Sequence, residues 1–229
     1  MPTSSAVQIL LIIRTPPMNG PNTTHVLSRM FTNNEQIIIA LSDLVAAHRH
    51  QQLTKRYEPP MQHQHDANSQ AQELRQQYQT LANNNINSDA LSALSKLSPS
   101  VPVNLIVQDF MSISFEEQVR LIAASSIVIG MHGAGIAGTM HMSVGTKYCC
   151  GVIEIFPEGE FKLNRGYSAM SRRLGHYYER LNVPPGNTGL QGSLVPVSQI
   201  TSALQKVLGS IVDNGGSCVL RAVVDAPFL

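Results

Sequence analysis

The 229-residue chain has no tryptophan, and aromatic residues make up only 5% of it. This scarcity argues against aromatic platforms on which sugars or bases would stack. The formal net charge is +1, so the composition predicts neither a nucleic-acid partner nor an anionic membrane surface. The aliphatic run near the start, residues 7–13, is too short to span a bilayer, and no cationic segment precedes it as in a signal peptide. We therefore expect no membrane segment in this chain.

Cysteine is also scarce, with three residues, of which Cys149 and Cys150 are neighbours. Their positions match neither a zinc-binding spacing nor a disulfide framework. We interpret them as thiols of the core or of a strand edge, and the spacing predicts no metal site.

Short apolar runs alternate with stretches of helical periodicity along most of the chain. The runs cover residues 7–13, 103–107, 126–130 and 152–156, and the last helix follows an apolar face around residues 200–211. Strands that alternate with helices form parallel sheets with right-handed crossovers. The fold class predicted is α/β, with a Rossmann-like parallel sheet built from residues 1–57 and 101–212.

Residues 58–100 differ abruptly in composition, because Gln, Asn, Ser and His dominate and apolar residues are few. Such a segment buries too little apolar surface to offset the entropy of ordering it. We predict a low-complexity, disordered insertion here, and a separate tail over residues 213–229.

The most informative stretch is the end of the run at Gly130, where His132, Gly133, Ala134 and Gly135 lead into a predicted helix. Glycines allow a sharp turn and a close backbone approach to a ligand. A helix N-terminus attracts anions, phosphates in particular. The stretch therefore predicts a phosphate-binding loop, although the same glycines also suit a simple tight turn.

The glycines at 133, 135 and 138 also match the G-x-G-x-x-G pattern, and Glu154 closes the next strand 21 positions after Gly133. In dinucleotide-binding domains, such an acid binds ribose hydroxyls. An NAD(P)-binding oxidoreductase domain is therefore one alternative, and a non-catalytic remnant is another. Two features depart from that pattern, since His132 precedes the first glycine and the unit follows at least two strands.

Four segments together carry a family resemblance. They are the helix start from Ser114 to Val119, the His132–Gly135 loop, the strand from Val152 to Pro157, and a tyrosine-containing tail that ends in G-x-x-Y at Tyr178. In this order they resemble the glycosyltransferase 61 family, which includes plant β-1,2-xylosyltransferases and animal O-linked N-acetylglucosamine transferases of the secretory pathway. A weaker match covers Arg14 and the segment from Arg29 to Glu35.

The resemblance implies the C-terminal, donor-binding lobe of a GT-B-type glycosyltransferase. It implies inverting transfer of a xylose-type or N-acetylglucosamine-type sugar from a nucleotide sugar, expected to be a UDP-sugar, to a protein-linked or glycan-linked hydroxyl. No cofactor is obligatory in such enzymes, although the resemblance leaves a divalent metal open. The expected compartment is the endoplasmic reticulum or Golgi lumen, and we expect the activity to be incomplete without an N-terminal lobe.

The resemblance also assigns expected roles to individual residues. The donor diphosphate is expected to contact Gly133, Ala134, Gly135, Arg14 and Arg29. Glu154 and His132 are the expected ligands of the ribose or sugar hydroxyls. The catalytic candidates are His132 and Asp109, and the general base is not identified.

Overall fold

The structure is a computed structural model that describes residues 6–14, 32–56, 101–142, 150–157, 166–184 and 193–213. The predicted insertion at 58–100, nearly all of the predicted tail and Arg29 lie outside the described residues.

The core of the fold is a five-stranded sheet. Its strands are β1 (Val7–Ile13), β2 (Val103–Asp109), β3 (Ile127–Met131), β4 (Gly151–Pro157) and β5 (Tyr177–Val183). Every neighbouring pair is parallel, and the strand order is β2-β1-β3-β4-β5. The predicted α/β, Rossmann-like fold is thereby confirmed, and the four predicted strands lie where the sequence indicated.

The fifth strand was not predicted. It lies at the edge of the sheet, and its sequence Tyr-Tyr-Glu-Arg-Leu-Asn-Val is mostly half-buried. Strand β2 at the other edge contains an apolar run at residues 105–107, whereas Glu179, Arg180 and Asn182 interrupt β5, so no apolar run predicted it.

In the described parts of the chain, five α-helices and one 3-10 helix connect or follow the strands. The α-helices are α1 (Asn34–Arg56), α2 (Phe115–Ala124), α3 (Ala134–Ala137), α4 (Gly166–Arg173) and α5 (Val197–Asp213), and the 3-10 helix (Gly138–His141) directly follows α3. Helix α2 begins at a capping residue, because the hydroxyl of Ser114 accepts a hydrogen bond from the backbone N–H of Glu117.

Each face of the sheet buries its own apolar cluster. Helices α1 and α5 cover the face that carries Ile9, Leu11 and Ile153. Helices α2 and α3 cover the opposite face, which carries Leu10 and Val128. A parallel sheet covered on both faces accounts for the nearly unbroken Val and Ile content of β1 and β3.

The strand order places a topological switch point between β1 and β3. The chain leaves β1 toward helix α1 on one face, whereas it leaves β3 toward helix α3 on the other. In open α/β sheets, ligands bind in the crevice at the carboxyl ends of the two strands at such a point. The loop that begins with His132 lies at this edge of the sheet.

Candidate functional site

The site begins with the turn that follows β3. The backbone N–H of His132 donates a hydrogen bond to the carbonyl of Ile155 at 2.8 Å. The hydrogen bonding between β3 and β4 therefore extends to His132. Gly133 then has a φ of 146° and a ψ of −168°, a conformation that side-chain-bearing residues rarely adopt. The backbone path itself therefore requires glycine at position 133.

The other two glycines of the pattern allow close packing. A Cβ built on Gly135 would lie 3.5 Å from Cγ2 of Ile12 and 3.7 Å from Cδ2 of Phe110, which are ordinary contacts. A Cβ on Gly138 would lie only 2.4 Å from Cδ1 of Ile122. Gly135 faces the apolar interior, and Gly138 lets the turn approach α2 closely.

Helix α3, which the loop opens, is short. It contains four residues, and the N–H of Ile136 is already bonded to the carbonyl of Gly133 at 3.0 Å. A single turn sums few peptide dipoles, so it develops little of the macrodipole that a long helix offers an anion. Charge at this site must therefore come mainly from side chains.

A buried carboxylate lies directly beside the loop. Oε1 of Glu154 pairs with Nδ1 of His132, and the hydroxyl of Tyr178 donates a hydrogen bond to Oε2. Glu154 is 2% exposed and His132 is 3% exposed. Both carboxylate oxygens thus have partners inside the protein, and the three side chains form one connected triad, named here the His132–Glu154–Tyr178 triad.

Strand register explains why these residues meet. Glu154 lies beside Gly130 of β3, and Tyr178 lies beside Val152 of β4. Because side chains alternate between the faces of a strand, Val152 and Glu154 share one face. A Cβ on Gly130 would lie 3.2 Å from Cδ1 of Ile136, so glycine there lets α3 pack closely on β3. His132 follows the end of β3 and pairs with Glu154.

Aromatic rings surround His132. Its ring centroid lies 4.6 Å from that of Phe156 and 5.1 Å from that of Tyr167. The guanidinium carbon of Arg180 lies 3.6 Å from the centroid of the same Phe156 ring. Tyr167 and Tyr178 lay in the tyrosine-containing tail of the resemblance, but no role had been assigned to them, or to Arg180.

The environment fixes the protonation state of Tyr178. Burial raises the pKa of its hydroxyl far above the usual value, and both the hydrogen bond to Glu154 and the negative charge of Glu154 raise the pKa further. Nearby Arg180 and Arg172 oppose this shift only in part. Tyr178 therefore remains protonated, and it acts as a permanent donor to the carboxylate.

Asp109 lies apart from the triad, at the end of β2, with β1 between β2 and β3. Its Oδ1 accepts a hydrogen bond from the N–H of Met111 at 2.9 Å, and its carbonyl accepts one from the hydroxyl of Ser112 at 2.7 Å. These bonds close the turn after β2. Arg14 directly follows β1 at the same edge of the sheet and is half-buried.

Within the described parts of the chain, no group of three or more His, Cys, Asp or Glu side chains is placed to hold a metal ion. No helix there is long and apolar enough to cross a membrane.

The fold and the loop define an α/β protein of Rossmann-like class, with its candidate site at the switch point of the sheet. The glycosyltransferase 61 family model matches residues 83–149, and this match supports the resemblance that the motifs indicated. Over this range the chain is similar to the glycosyltransferases of family 61. No curated protein matches the chain. The matched range contains His132 and the glycine loop, and it ends before Glu154 and Tyr178.

Proposed function

We propose that this chain binds a nucleotide-sugar donor at the His132 loop and serves in inverting transfer of the sugar to a hydroxyl of a protein or glycan. The family match supports a glycosyltransferase, and the His132–Glu154–Tyr178 triad is the observation that carries the position of the site. Three residues from three separate motifs meet beside a loop at the edge of the sheet where α/β proteins bind ligands.

In this proposal, Glu154 and Tyr178 hold His132 in place. The carboxylate accepts the Nδ1–H of the imidazole, so the ring presents Nε2 in a fixed direction. We assign Nε2 to the donor, either to a phosphate oxygen or to a sugar hydroxyl. Glu154 itself lies below the loop with both oxygens occupied, so we propose that it orients His132 and does not bind the ribose directly.

The reaction makes one bond and breaks one bond at the anomeric carbon. The acceptor oxygen bonds to that carbon, the bond to the donor diphosphate breaks, and the acceptor proton passes to a base. Asp109 closes the turn after β2, so we do not propose it as the base that accepts this proton. The departing diphosphate gains negative charge, and groups that stabilise this charge lower the barrier. We propose the amides of Gly133, Ala134 and Gly135 as contacts for it.

Arg14, at the end of β1, is the further contact that we propose for the diphosphate, because parallel strands β1 and β3 end at the same edge of the sheet. Arg29 remains a proposed contact on the family resemblance alone. The donor nucleotide is proposed to be a UDP-sugar, with a xylose-type or N-acetylglucosamine-type sugar, and we propose no obligatory metal.

The alternative of an NAD(P)-dependent oxidoreductase is less well supported. It requires a carboxylate that is open to ribose hydroxyls, whereas both oxygens of Glu154 are held by His132 and Tyr178. We further propose a lumenal location in the endoplasmic reticulum or Golgi on the family resemblance.

A ligand panel on the full chain tests the proposal. Calorimetry and thermal unfolding are measured with UDP, GDP, UDP-xylose, UDP-N-acetylglucosamine, NAD and NADP. A ligand that binds the native state raises the unfolding temperature. We expect stabilisation by a nucleotide sugar and its diphosphate, and none by the dinucleotides. His132→Asn should weaken donor binding roughly 10-fold, as loss of one charge-assisted hydrogen bond does.

His141→Asn is the matched control, since His141 is exposed on the 3-10 turn next to the loop. Circular dichroism establishes that both variants are folded. Binding of NAD or NADP without binding of any nucleotide sugar would favour the oxidoreductase alternative. Binding of no nucleotide at all would favour the non-catalytic remnant.

A further inference from the structure

The His132–Glu154 pair supplies no net positive charge to the site. The carboxylate of Glu154 is paired with the imidazole and matches any positive charge on it. Helix α3 contains only four residues, so its dipole adds little. A diphosphate bound at the loop therefore requires a further positive side chain.

Arg180 is placed to supply this charge. Its guanidinium lies over the ring of Phe156, and the same ring contacts His132. The guanidinium is therefore one aromatic ring away from the imidazole. Stacking on an aromatic ring restricts a side chain that otherwise has many rotamers, so Arg180 is held ready for a ligand.

The contacts of Arg180 leave its charge available. Its Nε–H donates to Oδ1 of Asn182 at 2.8 Å, which is a neutral acceptor. Glu154 is its neighbour in the strand register, but both oxygens of Glu154 are engaged elsewhere. Among the described residues, no carboxylate forms an ion pair with Arg180. The two terminal nitrogens of a guanidinium match a phosphate group in a bidentate geometry.

We propose that Arg180 binds the diphosphate of the donor from β5, beside the Phe156 ring that also contacts His132. This inference rests on the proposed function, because it assigns a second side chain to the same donor site. It places a phosphate ligand on the edge strand, outside the glycine loop and outside the residues that the family model matches. In this proposal Phe156 positions Arg180, since the guanidinium stacks on its ring.

The test compares Arg180→Met and Arg180→Lys with the unmodified full chain. Calorimetric titrations use two probes, UDP and inorganic diphosphate. Arg180→Met should weaken both probes by a similar factor, roughly 10-fold to 100-fold, because the lost contact is to the phosphates that they share. The affinity of Arg180→Lys for each probe should lie between those of the unmodified chain and Arg180→Met, since lysine keeps the charge and loses the planar fork.

Arg173→Met is the matched control, because it removes the same charge from an exposed position at the end of α4. It should bind both probes as the unmodified chain does. A folded Arg180→Met protein that binds UDP and inorganic diphosphate normally would overturn this inference and leave the proposed function intact. An unmodified chain that binds neither UDP nor any nucleotide sugar would overturn both. Loss of UDP binding with normal binding of inorganic diphosphate would place Arg180 at the nucleoside and also overturn the inference.

Discussion

The hydroxyl of Tyr178 donates a hydrogen bond to Oε2 of Glu154, 24 residues earlier in the chain, while His132 occupies the other oxygen of the same carboxylate. A buried carboxylate is costly unless its oxygens are satisfied. Tyr178 and His132 are therefore coupled through Glu154. We expect a substitution of one of them to weaken the interaction of the other with the carboxylate.

Tyr178→Phe should lower the free energy of unfolding by roughly 1.5 kcal/mol or more, since it leaves one oxygen of a buried charge without its donor. Tyr177→Phe is the matched control, because Tyr177 is the preceding residue of β5 and packs against the cluster on the opposite face. Urea unfolding of both variants measures the difference. An equal loss of unfolding free energy in Tyr178→Phe and Tyr177→Phe would contradict a specific role for the Tyr178 hydroxyl.

A double-mutant cycle tests the coupling directly. Glu154→Gln and Tyr178→Phe are measured singly and together, and the combined loss should be smaller than the sum by about 0.5–3 kcal/mol, the range for residues in one network. Additive losses would mean that the two side chains act independently.

The glycines of the loop should respond differently to alanine. Gly133→Ala should cost about 1–3 kcal/mol of unfolding free energy, because its φ of 146° is strained for any side chain. Gly135→Ala should be tolerated, because its Cβ would meet Ile12 and Phe110 at ordinary contact distances. Thermal unfolding of the two variants provides the comparison. If the Gly133→Ala variant were more stable than the Gly135→Ala variant, the turn at Gly133 would have a conformation other than the one described.

The contact between β4 and α5 depends on Gly151. A Cβ at this position would lie 2.1 Å from Cγ1 of Val207, which is far closer than real contacts allow. Gly151→Ala should therefore destabilise by about 1–3 kcal/mol through overpacking. Adding Val207→Ala should recover part of that loss, although Val207→Ala alone destabilises. Urea unfolding of the two single variants and the double variant checks this, and failure of the recovery would place the strain elsewhere.

His176 should make stability depend on pH. It is 5% exposed, neither ring nitrogen has a hydrogen-bond partner among the described residues, and burial lowers its pKa from the usual 6.5. The unfolded chain then binds this proton at a higher pH than the folded chain does. The contribution to stability is full above about pH 6.5 and is lost as the pH falls toward the lowered pKa, with a slope of at most about 1.4 kcal/mol per pH unit.

His176→Leu should flatten this part of the profile. Unfolding by urea between pH 5 and pH 8 measures it for both proteins. Identical slopes below pH 6.5 would show that His176 does not contribute.

The sequence by itself predicted most of the architecture. Buried strands of a parallel sheet are nearly continuous aliphatic runs, so the runs of apolar residues along the sequence predicted β1, β3 and β4. The edge strand β5 was not predicted, because it carries Glu179 and Arg180 and is only half-buried. The start of α2 was predicted, because a capping hydroxyl at Ser114 is a local feature.

The sequence also indicated the loop at His132 and the acid at Glu154, and their family motif. Only the tertiary structure showed that the two are partners and that Tyr178 completes the set. The pairing depends on strand order, register and the face on which each side chain lies. These arise from packing of the whole sheet, and no spacing along the chain specifies them.

The roles of the glycines were likewise decided in three dimensions. The pattern at 133, 135 and 138 predicted a phosphate-binding helix start, and phosphate binding there stays a prediction. The structure adds that the helix has four residues, that Gly133 forms a strained turn and that a Cβ on Gly138 would be too close to Ile122. Local sequence determined where the chain turns, because glycine alone tolerates such dihedrals. Which atoms approach that turn, including the guanidinium of Arg180 over Phe156, was determined by long-range packing.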